Sequence, residues 1–128
     1  MEVKVKNIDI IIESEDEFFQ RAERIFTDLD HNIIPSEVVE RLSFDNLDQL
    51  RQVITKKRLE LLHVIKHHHP KSIYALAKIT NRDITNIRDD LSKLEVLGLV
   101  EMVQDTSDPR APLIPNIKYD KLLVSIEL

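Results

Sequence analysis

A single glycine in 128 residues, Gly98, is the feature that most constrains how this chain can fold. Glycine enters the left-handed backbone region without steric cost, so a chain with one glycine is expected to place it where other residues fit badly. Gly98 closes a helical pattern in which Ile84, Ile87, Leu91 and Leu94 recur at three and four residues. A left-handed residue just past the last turn is a common helix stop. Leu99-Val100-Glu101-Met102-Val103 then reads as a strand. Upstream, Ser72 suits the N-cap of a short helix in which Ile73, Leu76 and Ala77 face inward. Asn81 tolerates a left-handed turn better than any other non-glycine residue there, and Asp83 suits the next N-cap.

Two short helices, a tight turn, a glycine stop and a strand are the order of a winged helix-turn-helix. The expected fold class is therefore α+β, a winged helix-turn-helix with an N-terminal strand–helix extension. The extension is expected over residues 1–54 and the winged unit over 55–128. Val3 and Val5 alternate with Lys4 and Lys6, and Ile8, Ile10, Ile11 and Ile12 follow, which reads as a strand whose phase slips near Asn7. Ser14 and Glu17 form a capping box for a helix carrying Phe18, Ala22, Ile25, Phe26 and Leu29 on one stripe, ended by Asp30-His31-Asn32 and Pro35. Val38 to Phe44 reads as a short strand. Asp45 or Asn46 would cap a helix holding Leu47, Leu50, Val53 and Ile54, and Thr55 would cap another with Leu59, Leu62 and Ile65, stopped by Pro70. After Val103 come a loop from Asp105 to Asn116 with three prolines and a final strand from Ile117 to Leu128.

Composition narrows the function. There is no cysteine, so disulfides, cysteine zinc sites and thiol nucleophiles are excluded. No apolar run reaches membrane-spanning length and the N-terminus does not read as a signal peptide, so the expected location is cytoplasmic. No phosphate-binding glycine loop and no nucleophile–base pair is visible, so an enzyme is not expected. Residues 1–54 hold six Lys/Arg against thirteen Asp/Glu, a balance of −7, and residues 55–128 hold twelve against ten, a balance of +2. A mildly basic winged unit beside an acidic segment fits a nucleic-acid module joined to a part with another task, although both also read as ordinary solvated surfaces.

On the second helix of the pair, the face opposite the apolar stripe centres on Asp89, flanked by Thr85, Asn86, Ser92 and Lys93, with Arg88 at the edge. The first turns of such a helix are those that reach base edges in a major groove. Asn86 can pair bidentately with adenine, Thr85 can touch a thymine methyl, and Arg88 or Arg82 could reach guanine or phosphate. The plainer alternative is a solvated face on which Asp89 and Lys93 make an ordinary i, i+4 pair.

At this point the residues resemble a group of archaeal and bacterial winged-helix proteins described as transcriptional regulators or DNA-binding proteins. The words that carry the resemblance are RLELL, SIYALA, NRDITNIRDDLSKLEVLGLV and the closing IKYDKLLVSIEL, between Thr55 and Leu128. Arg82, Asp83, Asn86 and Asp90 stand where the family pattern has Arg, Asp, Asn and Asp. The resemblance implies a winged-helix fold, double-stranded DNA as partner and, for some members, an antitoxin encoded beside a TumE-type toxin. Thr85, Asp89 and Ser92 make this helix less basic than the family's usual pattern.

Arg110 is the only cation of the wing loop and could touch phosphate or a minor groove, or be incidental to a rigid turn. Lys71, Ser72 and Tyr74 open the preceding helix and suit phosphate contact. The extension is too small to bury its own apolar face, which points to a homodimer or to a protein partner such as a toxin. His63 and His67 lie at i, i+4, but three consecutive histidines before Pro70 read as a solvated helix end, and no metal or other cofactor is expected. The expected function is a dimeric, sequence-specific DNA-binding transcriptional regulator acting as a repressor. The alternative is a winged helix that binds a partner protein.

Overall fold

The computed structural model describes residues 7–32, 40–104 and 107–128. The expected strand at Val3–Val5, the stop at Pro35, the start of the Val38–Phe44 strand and Asp105 of the loop lie outside them. Two compact units form, one from Met1–Gln52 with Tyr119–Leu128 and the other from Val53–Lys118.

The first unit contains β1 (Asn7–Ile12), α1 (Glu15–Asp30), β2 (Arg41–Phe44), α2 (Leu47–Val53, whose last residue falls in the second unit) and, at the far end of the chain, β5 (Lys121–Ile126). The sheet order is β2-β1-β5, and both pairings are parallel. β1 is thus the central strand, with Ile10 set between Leu42 and Val124, and Ile12 between Phe44 and Ile126. Ile8, Ile10 and Ile12 are buried, the two-residue period of one sheet face. The N-terminal residues are therefore integral to this unit rather than an appendage to the winged one.

α1 begins with the expected capping box: the Ser14 hydroxyl accepts from the Glu17 backbone N–H and the Glu17 carboxylate accepts from the Ser14 N–H, both at 3.2 Å. No residue of α1 is buried, and Phe26 is 69% exposed. Among the described residues it is anchored by a polar contact. Glu13, buried just after β1, accepts hydrogen bonds from Arg21 on α1 and from the Ser43 hydroxyl on β2. The Arg21 hydrogen bond holds the Glu13 carboxyl below its usual range against the opposing effect of burial.

The second unit contains α3 (Lys56–His68), α4 (Ile73–Thr80), α5 (Ile84–Val96), β3 (Glu101–Val103) and β4 (Ile114–Asn116). Thr55, Ser72 and Asp83 cap the three helices through their side-chain oxygens, as their residue types demand. Leu61, Leu62, Ile65, Leu76, Ile87, Leu91 and Leu94 form the core. Leu59 faces outward at 39% exposure, and Leu61 takes the inward place. β3 and β4 pair antiparallel, with Met102 opposite Pro115. This architecture is a winged helix-turn-helix within an α+β chain.

Residues 119–128, expected to belong to the winged unit, fall in the first unit instead, where β5 pairs with β1. The wing returns through β4, three residues long, inside what the sequence presents as a proline-rich loop. Pro115 is tolerated there because a two-stranded ribbon leaves each strand one edge that needs no donor. The winged unit is thus an insertion between the second and third strands of a parallel sheet.

Candidate nucleic-acid interface

The turn between α4 and α5 is set by backbone requirements. Asn81 takes the left-handed conformation (φ 53°), and the Arg82 N–H donates back to the Ala77 carbonyl at 3.1 Å. α5 ends in the same way at Gly98 (φ 76°): the Gly98 N–H reaches the Glu95 carbonyl at 2.9 Å and the Leu99 N–H reaches that of Leu94 at 3.0 Å. These two bonds are the paired helix closure of a Schellman motif.

The inner side of α5 is held by more than apolar contact. Asp90 lies on the buried side, one helical turn after Ile87, and its two carboxylate oxygens accept from Arg58 of α3 at 3.0 Å and from Arg82 at 2.6 Å. Arg58 also donates to the Val53 carbonyl at 2.7 Å. Burial raises the Asp90 pKa, but the hydrogen bonds from Arg82 and Arg58 outweigh it and the net shift is downward. One carboxylate thus ties the start of α3 and the α4–α5 turn to the middle of α5.

Arg82, expected as a candidate contact to guanine or phosphate, is paired inward: its guanidinium donates to Asp90 at 2.6 Å, with Nη1 buried and without a hydrogen-bond partner. The buried position of Asp90 is what residue-type reasoning missed. Its spacing from Ile87 and Leu94 puts it in phase with the apolar stripe, and that phase was the available signal.

The other named residues of α5 lie outward. Thr85, Asn86, Arg88, Asp89, Ser92 and Lys93 are all exposed. The Asp89 carboxylate and Lys93 ammonium pair at 3.2 Å across one turn, so the centre of this face is neutralised. The side chains of Thr85, Asn86 and Arg88 make no hydrogen bond or ion pair among the described residues. On α4 the Ser72 hydroxyl is occupied as the N-cap, accepting from the Ala75 N–H at 3.0 Å. Tyr74 is 61% exposed, and the Lys78 ammonium sits 4.8 Å from its ring centroid. Arg110 is exposed at the wing turn, its backbone N–H donating to the Asp108 carboxylate at 2.9 Å.

The His63 and His67 rings lie nearly parallel with centroids 6.2 Å apart. Among the described residues no three His, Cys, Asp or Glu side chains gather as a metal site would need. No helix among them is long and apolar enough to cross a membrane.

Solved structures similar to this chain include the following three. A MarR-like transcriptional regulator from Thermotoga maritima is 16% identical with a TM-score of 0.47, over 83% of this chain and 66% of that one. The multiple antibiotic resistance repressor MarR is 16% identical with a TM-score of 0.46, over 84% and 66%. A MepR variant from a multidrug-resistant S. aureus clinical isolate is 19% identical with a TM-score of 0.44, over 75% and 64%. The chain spans a little under two thirds of the length of these proteins. No functionally curated protein matches it. The model of the HVO_A0114 family matches residues 53–124, more than half of the sequence and the whole of the winged unit. The chain belongs to the HVO_A0114 family.

Proposed function

We propose that this protein is a sequence-specific DNA-binding transcriptional regulator that acts as a repressor, with α5 as its reading helix. The observation that carries this reading is the contrast between the two sides of α5. The inner side is fixed by apolar packing and the Asp90 ion cluster, while Thr85, Asn86 and Arg88 on the first turns are exposed and unpaired. A rigid helix with free polar side chains at its N-terminal end is what direct readout in a major groove requires. In this reading Asn86 and Thr85 contact bases, and Arg88 contacts a base or phosphate. Ser92 and the Asp89–Lys93 pair lie further along the groove. The start of α4, with Lys71, Ser72 and Tyr74, and Arg110 on the wing meet the phosphate backbone. Two copies would read paired half-sites.

Asn86→Ala is expected to weaken binding to the cognate operator by at least about 1 kcal/mol, the lower bound for a lost bidentate base contact. Competitive mobility-shift titration against the wild type checks this. Equal affinities for the same operator would remove Asn86 from the reading set.

A second reading is favoured by one specific feature. α1 is strongly acidic at its start, through Glu15, Asp16 and Glu17, and exposes Phe18, Phe19 and Phe26. Such a helix suits capture of a protein, including a toxin neutralised by binding. Salt dependence separates the two readings. A DNA regulator loses affinity steeply between low and physiological salt because bound counterions are released. Absence of any salt-sensitive shift with genomic DNA fragments would leave the protein-binding reading.

A further inference from the structure

We propose that the free edge of β5 is the dimerisation surface, and that two copies join their sheets there, antiparallel, with Val124 on the two-fold axis. This deepens the dimeric reading above and is independent of whether α5 binds DNA.

β5 is an edge strand: β1 occupies one side, and no described strand occupies the other. Edge strands of stable proteins are normally blunted by an internal charge, a proline or a bulge, because bare backbone donors and acceptors recruit another strand. β2, the opposite edge, is only four residues long and starts with Arg41. β5 lacks such protection. Leu122 to Ile126 contains no charge and no proline, and Leu123, Val124 and Ile126 are 43%, 52% and 55% exposed. Its ladder with β1 continues past the strand, as the Glu127 N–H donates to the Ile12 carbonyl at 3.1 Å.

A second copy is the partner this edge fits, because the strand is complementary to itself in one register. A two-fold axis through an antiparallel pair must centre on a residue so that outward-facing backbone groups meet. Centring on Val124 sets Lys121 opposite Glu127 of the second copy, twice by symmetry. Neither side chain has an ionic partner among the described residues. Centring one residue earlier would put Lys121 opposite Ser125, and one residue later would put Glu127 opposite Leu123. In the Val124 register Leu122 faces Ile126, and Val124 faces itself. That extends the row begun by Ile8, Ile10 and Ile12 across the junction into one six-stranded sheet.

The experiment is a charge exchange read by analytical ultracentrifugation of the full chain without DNA. Lys121→Glu and Glu127→Lys are both exposed positions outside the core. Each alone places like charges opposite each other at two symmetric sites and is expected to raise the dimer dissociation constant about tenfold or more. The double variant restores opposite charges with their order reversed and is expected to return to the wild-type constant. Val124→Cys, in a chain with no other cysteine, is expected to give a covalent dimer on oxidation. A wild-type dimer indifferent to both single changes, or a double variant no better than the singles, would overturn the surface while leaving dimerisation itself standing. A monomeric wild type would overturn both. Neither outcome bears on DNA binding by α5, which the Asn86 titration reads separately.

Discussion

Asp90→Ala is expected to destabilise the winged unit by about 3–5 kcal/mol, the usual cost of removing one partner from a buried ion cluster. The carboxylate has 12% of its surface exposed and is bonded to two guanidinium groups. Without it Arg58 and Arg82 keep their charges in a partly dry site, and Arg82 already has one nitrogen without a partner. The loss should show in urea denaturation at neutral pH as a lower midpoint with an unchanged slope. There is a pH signature as well. The folded-state pKa of Asp90 is lowered, so the stability it contributes is fully present above the ordinary carboxylate range near pH 4 and is lost as pH falls through the folded value. Asp90→Asn removes that proton linkage while conserving shape, so the acid limb of its stability curve should be flatter than that of the wild type. A variant with the wild-type midpoint at neutral pH would show that the cluster does not hold α5 in place.

Gly98→Val is expected to cost about 1–3 kcal/mol through backbone strain alone. A Cβ atom added at Gly98 meets nothing within 4 Å, so a clash at that atom is not the cause. The cause is φ of 76°, a left-handed value that a β-branched residue strongly resists. The helix stop depends on that value, because the Gly98 and Leu99 N–H groups then return to α5 carbonyls. In a unit of this size each kcal/mol lowers the melting midpoint by roughly 4–8 °C. Gly98→Asn provides the control, since asparagine already holds the equivalent left-handed position at Asn81. It should melt well above the valine variant. Equal melting of valine variant and wild type would contradict a left-handed cap, and equal loss in both variants would point to some cost other than φ.

The contrast between these residues shows what was legible in the sequence. Local rules located Ser14, Thr55, Ser72, Asp83, Asn81 and Gly98 correctly, because caps and left-handed stops depend on a few neighbouring backbone groups. The apolar stripe of α5 was equally readable. The partner of β5 was not, because its register with β1 links Asn7 to Lys121 across almost the whole chain, and nothing in either segment names the other. The proline-rich appearance of residues 109–115 concealed β4, whose pairing with β3 outweighs local propensity. For the candidate interface, residue type alone offered Arg88 or Arg82 alike as a contact to guanine or phosphate. Only the Asp90 carboxylate distinguishes their roles, and an acidic residue inside an apolar stripe becomes informative once its two cations are known.

The insertion of the winged unit into the parallel sheet also orders events during synthesis. Val53–Lys118 is continuous in sequence, so that unit has all its parts once Lys118 leaves the ribosome. The sheet does not, because β1 precedes that stretch and its longest neighbour, β5, follows it. Until then one side of β1 stays open, with Ile8, Ile10 and Ile12 lacking the row that completes their face. Prior folding of the insert shortens the effective loop between β1 and β5, and so lowers the chain entropy lost in closing it. The segment that follows the insert therefore completes the environment of β1, and removal of Lys121–Ile126 should leave a folded winged unit attached to an unfinished sheet.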